Sequence, residues 1–278
     1  MADVEIPPLT WLYVPADRPE RVVKALASRA HAVVVDLEDA VAPRAKEEAR
    51  DGLAELLANP VAKVVHVRVN GLATPWEPTD LQAVSSLAGV AGVHLPKVED
   101  PDEAREALAL MAEARLRVHC LIESALGLEN VFAIASVPGV TSISLGESDL
   151  RAETGATEEG LEWARARIVN AAVAAGLPRP PQSVYPHVRD LEGLARSCAR
   201  GRVLGHLGRA AIHPDQLEVI EQAYLPDEAE VARAREVLAA GDMGAVALQD
   251  GRFVDEAILR SARAVVAIAE RYGTRPTK

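Results

Sequence analysis

The sequence predicts a (β/α)8 TIM barrel with extra C-terminal helices, and three observations predict it. Eight short apolar runs alternate with Ala-, Leu-, Glu- and Arg-rich segments of helical period. The runs are apolar on both faces, as strands of a covered parallel sheet must be. Five successive runs also end on a charged side chain, at Asp36, Arg68, Lys97, Glu123 and Asp149. A charge closing an apolar run loses solvation unless it has a partner or a task there. Five at equivalent places describe one shared mouth at the strand C-termini, where such barrels carry their chemistry.

The elements follow in order. The run 10–15 (TWLYVP) precedes Asp17 and Pro19, which fit the start of a helix over 18–30. The run 32–37 ends in the acidic stretch Asp36-Leu37-Glu38-Asp39, and Pro43 opens a helix over 44–58. The run 63–69 leads to a helix at 78–88. The run 92–97 leads to one at 101–115, started by Asp100-Pro101. The runs 117–122 and 141–146 lead to helices at 125–136 and 158–176, the latter stopped by Gly176 and Pro178. Runs at 182–186 and 208–213 flank a helix at 190–202 and complete the eight. Pro214 opens a helix to 224, Pro226 opens another over 227–240, and a last helix covers 254–272. The expected division is a barrel over 1–224 and a helical extension over 225–278, packed on the barrel or reaching a neighbouring subunit. An open doubly wound sheet is the alternative, but no G-x-G-x-x-G follows the first strand.

Bulk properties narrow the class. The 278 residues suffice for one large core, which is built from Ala, Val, Leu and Ile because aromatics are only 3%. A net charge of −11 with no Lys/Arg-rich stripe argues against a nucleic-acid partner. Cys120 and Cys198 form neither a disulfide framework nor a zinc knuckle, and Cys120 reads as a buried thiol. No stretch nears about 18 uninterrupted apolar residues, and the opening MADVEIPPLT is no signal peptide. The expectation is a cytoplasmic protein with no membrane partner.

At the mouth, Glu123 and Asp149 would come from adjacent strands. Two carboxylates there suit Mg²⁺, with water and substrate oxygens completing the octahedron. Zinc fits less well, since no histidine stands beside either acid. The competing reading is that both acids cap helices or pair with Arg68 or Lys97. Arg68 can grip a carboxylate or stabilise an enolate oxygen, or pair with Asp36 or Glu38, and these roles are compatible. Asp36, Glu38, Asp39 and Lys97 read as supporting partners around the site. His66, His94 and His119 read as core or interstrand residues.

With those residues in view, the chain resembles the citrate lyase β-subunit-like CoA ester lyases of the HpcH/HpaI aldolase superfamily. LYVPADRPERVVKAL is similar to the family's L-F-V-P-G-x-R-P-E-R opening, and VVDLEDAVAPRAKEEAR to its D-L-E-D-A-V segment. HVRVNG, LPKVE, LIESALGLEN, LGESDL, AAIHPDQLEVI and DGRFVDEAILRSAR follow in the family's order. The resemblance implies Mg²⁺ held by Glu123 and Asp149, and Arg68 as the contact to substrate and enolate. It implies a homotrimer or hexamer in which Asp255, in the C-terminal G-x-x-x-D segment, enters a neighbour's site as the proton carrier. Residues alone make Asp255 the N-cap of the last helix. Arg18, Arg21 and Lys46 stand where cations would meet the phosphates of CoA.

The chain departs from the motifs at Ala16, at Leu9-Thr10, and at Gln182 and His187. These departures bear on acyl-group preference. The implied reaction is reversible Claisen-type cleavage of a β-hydroxyacyl-CoA, malyl-CoA-like or citramalyl-CoA-like, to a shorter acyl-CoA and a 2-keto acid. The alternatives are a citrate lyase β subunit acting on an acyl-carrier protein, a thioesterase on the same scaffold, and a non-catalytic acyl-CoA-binding barrel.

Overall fold

The computed structural model describes residues 6–72, 74–111, 115–241 and 255–276. Pro7–Ile220 forms one compact unit, and the residues from Glu221 onward, with Ile6, form a second.

Seven parallel strands make the first unit's sheet: β1 (Thr10–Pro15), β2 (Ala32–Asp36), β3 (Val64–Arg68), β4 (Gly92–Leu95), β5 (Arg117–Ile122), β6 (Val140–Leu145) and β7 (Arg209–Ala211). Their order is β6-β5-β4-β3-β2-β1-β7. The register sets Pro15 beside Asp36, Asp36 beside Arg68 and Arg68 beside His94, so the strand ends share one level. The sheet is strongly curled. Trp11 on β1 meets His119 on β5 with ring centroids 6.4 Å apart, although three strands separate them in the sheet. Tyr13 on β1 likewise reaches His94 on β4. Such contacts exist only across a concave face. Alternate residues such as Val33, Val35, Val65 and Val67 are fully buried, as strands in a helix-covered parallel sheet require.

The barrel is not closed by ladders, which corrects the expectation of eight strands. Among the described residues, 182–186 contributes a single parallel bridge, Gln182 to Arg209. Gln182 N–H donates to Gly208 O and Ala210 N–H to Gln182 O, both at 2.9 Å. Toward β6 the tie is Ser183 Oγ donating to Leu145 O at 2.5 Å. Pro178, Pro180, Pro181 and Pro186 crowd this segment, and proline has no N–H to give a ladder.

The helices are α1 (Pro19–Leu26), α2 (Lys46–Leu57), α3 (Glu77–Ser85), α4 (Pro101–Leu110), α5 (Ala125–Glu129), α6 (Val131–Ala135), α7 (Glu147–Thr154), α8 (Glu162–Ala174), α9 (Leu191–Leu204), α10 (Gln216–Tyr224), α11 (Glu228–Gly241) and α12 (Glu256–Tyr272). Caps explain several starts. Asp100 and Glu103 form a full capping box on α4, and Ser124 caps α5. The expected 125–136 helix divides at Asn130. In the second unit α11 and α12 pack together, with Val231, Ala234, Ala262 and Ile268 buried. Arg275 pairs with Asp227 at 3.4 Å. Among the described residues, no helix is long and apolar enough to cross a membrane.

Candidate active site at the strand C-termini

A cavity of about 480 Å³ opens at the C-terminal ends of the strands, lined by Tyr13, Asp36, Arg68, Glu123, Ser144 and Asp149 among others. The acidic loop after β2 folds around Asp36. Its carboxylate accepts N–H groups from Glu38 at 2.9 Å and Ala40 at 3.2 Å, and takes the Arg68 fork through Nε at 2.7 Å and Nη2 at 2.6 Å. Glu38 Oε2 lies 2.8 Å from Arg68 Nη1 as an ion pair, and Glu38 also pairs with the Lys97 ammonium, which lies 3.4 Å from Asp39. Burial disfavours the Arg68 cation, but its bonds to Asp36 outweigh that and lift its pKa further. Two of the guanidinium's five N–H donors are bonded to Asp36, and its Nη1 side is held near Glu38 by the ion pair.

Lys46 does a different job from the one its position in sequence indicates. It is 6% exposed, and its ammonium donates to Leu37 O and Glu38 O at 2.8 Å and to Asn70 Oδ1 at 2.5 Å. All three ammonium protons are spent, so Lys46 pins the acidic loop and has none left for a phosphate. Asn70 is itself fixed by Asp80, which also takes Arg50 at 3.0 Å. Arg18 is likewise outside the cavity. Its side chain is 57% exposed, and its ion pair with Asp17 is a loose 3.9 Å. The cations that do line a cavity beside the site are Arg21 and Lys24. With Pro15, His213 and Pro214 they border a space of about 320 Å³.

Glu123 follows β5 and is 5% exposed. Burial raises its pKa to about 7, with the Glu38 and Asp149 charges adding to the effect against Arg68 and Lys97. Its Oε2 accepts the Lys97 N–H at 3.1 Å. Lys97 adopts a left-handed backbone with φ of 56°, a conformation uncommon for a side-chain-bearing residue, and this aims its amide at the acid. Opposite lies Gly146, where a Cβ would stand 2.2 Å from Glu123 Oε1. Only glycine admits the carboxylate there.

Asp149 sits in the first turn of α7, a helix absent from the sequence expectations. α7 is polar, with Leu150 as its buried residue, so it lacks the apolar stripe that betrays a helix. Arg165 of α8 clamps it, donating to Glu147 at 2.9 and 2.5 Å and to Glu158 Oε1 at 2.6 Å. Gly155 closes it in a left-handed turn.

Tyr13, Ser144, Gly146 and Arg165 are thus site or supporting residues that the sequence reading passed over. The alternation T-S-I-S-L, which puts Ser142 and Ser144 on one face, was the available signal for Ser144. Asp255 belongs to the second unit, where its Oδ1 accepts the Ile258 N–H at 2.9 Å and caps α12. Cys120 is buried, and that burial pushes its thiol up to about 12.

Two carboxylates, one rigid at a strand end and one on a helix, suit a hard divalent cation that keeps open positions for water and substrate oxygens. Glu123, buried among like charges, is in the state a cation relieves. No group of three or more His, Cys, Asp or Glu arranged to hold a metal occurs among the described residues.

Acids and an arginine gathered above a curled parallel sheet are the layout of an α/β enzyme with its chemistry at the strand C-termini. The family model HpcH/HpaI aldolase/citrate lyase matches residues 9–214, and the chain belongs to that family. It is 33% identical over 272 residues to a (3S)-malyl-CoA thioesterase of Cereibacter sphaeroides, covering 93% of each chain. It is 31% identical over 298 residues to the L-malyl-CoA/beta-methylmalyl-CoA lyase of Rhodobacter capsulatus, again 93% of each. The crystal structure of CitE from Mycobacterium tuberculosis in complex with magnesium, acetoacetate and coenzyme A superposes with a TM-score of 0.78 at 32% identity, covering 94% of this chain and 97% of that one.

Proposed function

We propose that the protein is a Mg²⁺-dependent CoA ester lyase that reversibly cleaves a β-hydroxyacyl-CoA into a shorter acyl-CoA and a 2-keto acid. The observation that carries this reading is the meeting of Glu123, Asp149 and Arg68 on one cavity. Glu123 and Asp149 are the residues to hold Mg²⁺, which when bound supplies Lewis-acid polarisation of substrate oxygens. In the cleavage direction the β-hydroxyl gives its proton to water and its carbon becomes a carbonyl. The broken C–C bond leaves its electron pair in the thioester as an enolate. Arg68 lines the cavity, and its guanidinium stabilises that oxygen as it gains charge. Asp36 and Glu38 hold the guanidinium in place, and Lys46 holds their loop. Asp255 of a neighbouring copy in a trimer or hexamer delivers the proton to the enolate carbon. This assignment rests on its G-x-x-x-D pattern. Arg21 and Lys24 give the CoA phosphates a cationic wall beside the acyl site. The segment at Gln182 takes the place of the seventh strand of a (β/α)8 barrel, and β7 that of the eighth.

The test is malyl-CoA with Mg²⁺, following free CoA and 2-keto acid separately. Keto acid without free CoA supports the lyase, and loss of that activity in Asp149→Ala supports the ligand assignment. Free CoA without keto acid establishes thioester hydrolysis, the second reading, which the similarity to a malyl-CoA thioesterase favours. Mixing inactive Arg68→Ala and Asp255→Ala chains restores activity if the site is shared between copies. Absence of complementation rejects Asp255 as a residue acting across subunits.

A further inference from the structure

The floor of the cavity carries two hydroxyls that the reaction above does not use. Ser144 pairs in register with Leu121, two residues below Glu123, and Tyr13 lies two residues below Pro15, which pairs with Asp36. Both line the cavity. Each hydroxyl is backed by a buried histidine. Ser144 Oγ is 2.7 Å from His119 Nε2, and Tyr13 Oη is 3.0 Å from His94 Nδ1. The two imidazoles stack at 4.1 Å with an interplanar angle of 17°, and His119 Nδ1 rests on Ser142 Oγ at 2.6 Å. Burial, reinforced for His94 by neighbouring charges, holds both rings neutral; His119 is lowered to about 3.

A neutral imidazole has one donor nitrogen and one acceptor. His119 between two serines can therefore donate to Ser144 while accepting from Ser142. The Ser144 proton is then free to point upward. His94 does the same for Tyr13 when its proton is on Nδ1. The opposite nitrogen, Nε2, has no hydrogen-bond partner among the described residues, so a bare lone pair there leaves no donor stranded. Val, Leu or Ile would fill this layer without desolvating imidazoles. A polar layer in an otherwise aliphatic core is where local rules yield to function.

We infer that this floor selects the keto-acid half of the substrate: the Ser144 and Tyr13 hydroxyls donate to an acceptor oxygen on its substituent, favouring 2-keto acids that carry a second oxygenated group over those that carry an alkyl chain. The inference rests on the lyase reading and names the substrate class for it.

The probes are oxaloacetate and 2-oxobutyrate, similar in size and differing in the terminal group. Each is compared by kcat/KM in condensation with acetyl-CoA and Mg²⁺, and by calorimetric binding with Mg²⁺ alone. The wild type is expected to favour oxaloacetate at least tenfold in both. Ser144→Ala should cut that ratio about tenfold, the size of one net hydrogen bond. Tyr13→Phe, which keeps the ring 5.5 Å beneath Arg68 and restores the motif's phenylalanine, should cut it independently. Thermal melts confirm that both variants fold. Condensation with a ratio that neither variant shifts overturns the floor's role and leaves the lyase standing. A binding ratio that shifts without any condensation or cleavage keeps the floor's role and overturns the lyase. A wild type that prefers 2-oxobutyrate overturns the proposed selectivity.

Discussion

Asp36 closes β2 and Glu123 follows β5 at the same mouth, both buried, and the protein treats them in opposite ways. Asp36 is saturated, taking two backbone N–H groups and a bidentate arginine. Glu123 takes one backbone N–H and lies close enough to Glu38 and Asp149 for its pKa to climb to about 7. Glu38 is intermediate: burial raises its pKa despite the Arg68 and Lys97 charges. A carboxylate with all its partners in the chain is a holder of other groups. One left under-compensated beside another acid is a ligand, and neutralising it separates the two cases.

The largest effect is expected from Glu123→Gln. Lyase turnover should fall by at least about a hundredfold, the scale of losing an electrostatic centre. The variant should also melt higher than wild type without metal, since a buried repelled charge is gone. Mg²⁺ should raise the wild-type melting temperature by linkage and leave the variant unmoved. A variant that keeps the Mg²⁺ response breaks the comparison. Asp36→Asn should do the reverse. It should cost about 3 kcal/mol of stability, because an arginine is left buried with one acid fewer, while the Mg²⁺ response persists in melts. Lys46→Met sharpens the same point one layer lower. Losing the charge that ties Leu37, Glu38 and Asn70 should cost about 2 kcal/mol in denaturant titrations, again with the Mg²⁺ response kept.

The smallest effect belongs to the interior histidines. Burial drops His66 and His119 to about 3 and His94 well below its usual value. The unfolded chain therefore binds protons that the folded chain refuses. Stability is full above the unfolded value of about 6.5 and falls as the pH drops toward 3. Between pH 6.5 and 5 each ring costs about 2 kcal/mol. His66→Leu should flatten that acid limb by one proton in denaturation measured across pH. An unchanged slope would mean that His66 titrates normally in the folded state.

What the sequence revealed follows from what each signal needs. The strands were legible because an apolar run in a covered parallel sheet is continuous. Their ends were legible because charge there breaks the run. Glu123, Arg68 and Asp149 therefore stood out before any coordinates. The 182–186 strand was misread because S-V-Y has strand propensity while the flanking prolines remove the donors a ladder requires. α7 was invisible because a rim helix held by Arg165 has little apolar face to show. Lys46 reads in sequence as a cation for the phosphates of CoA. That an ammonium eight residues beyond Glu38 turns inward to Leu37 O and Asn70 depends on where the loop returns, which spacing alone does not encode. The histidines were read correctly as interior, but their stacking and their service to Tyr13 and Ser144 are facts of four strands at once.

The proline-rich segment that replaces the seventh of the eight expected strands has one more consequence. Gln182, Ser183 and Val184 line the cavity beside Glu123 and Asp149, and this panel is joined to β7 by the Gln182–Arg209 bridge with its two backbone hydrogen bonds and to β6 through the Ser183 hydroxyl. Side chains complete the attachment: Gln182 Nε2 donates to Ser197 O and Arg209 Nη1 to Gln182 Oε1, both at 3.2 Å, and Gln216 Nε2 donates to Tyr185 O at 2.9 Å. Gly201 leaves room for the Gln182 amide, which a Cβ there would meet at 2.1 Å. Where a ladder would hold this wall by backbone alone, the chain holds it by particular side chains, so the residue at 182 sets the wall's position as well as its lining.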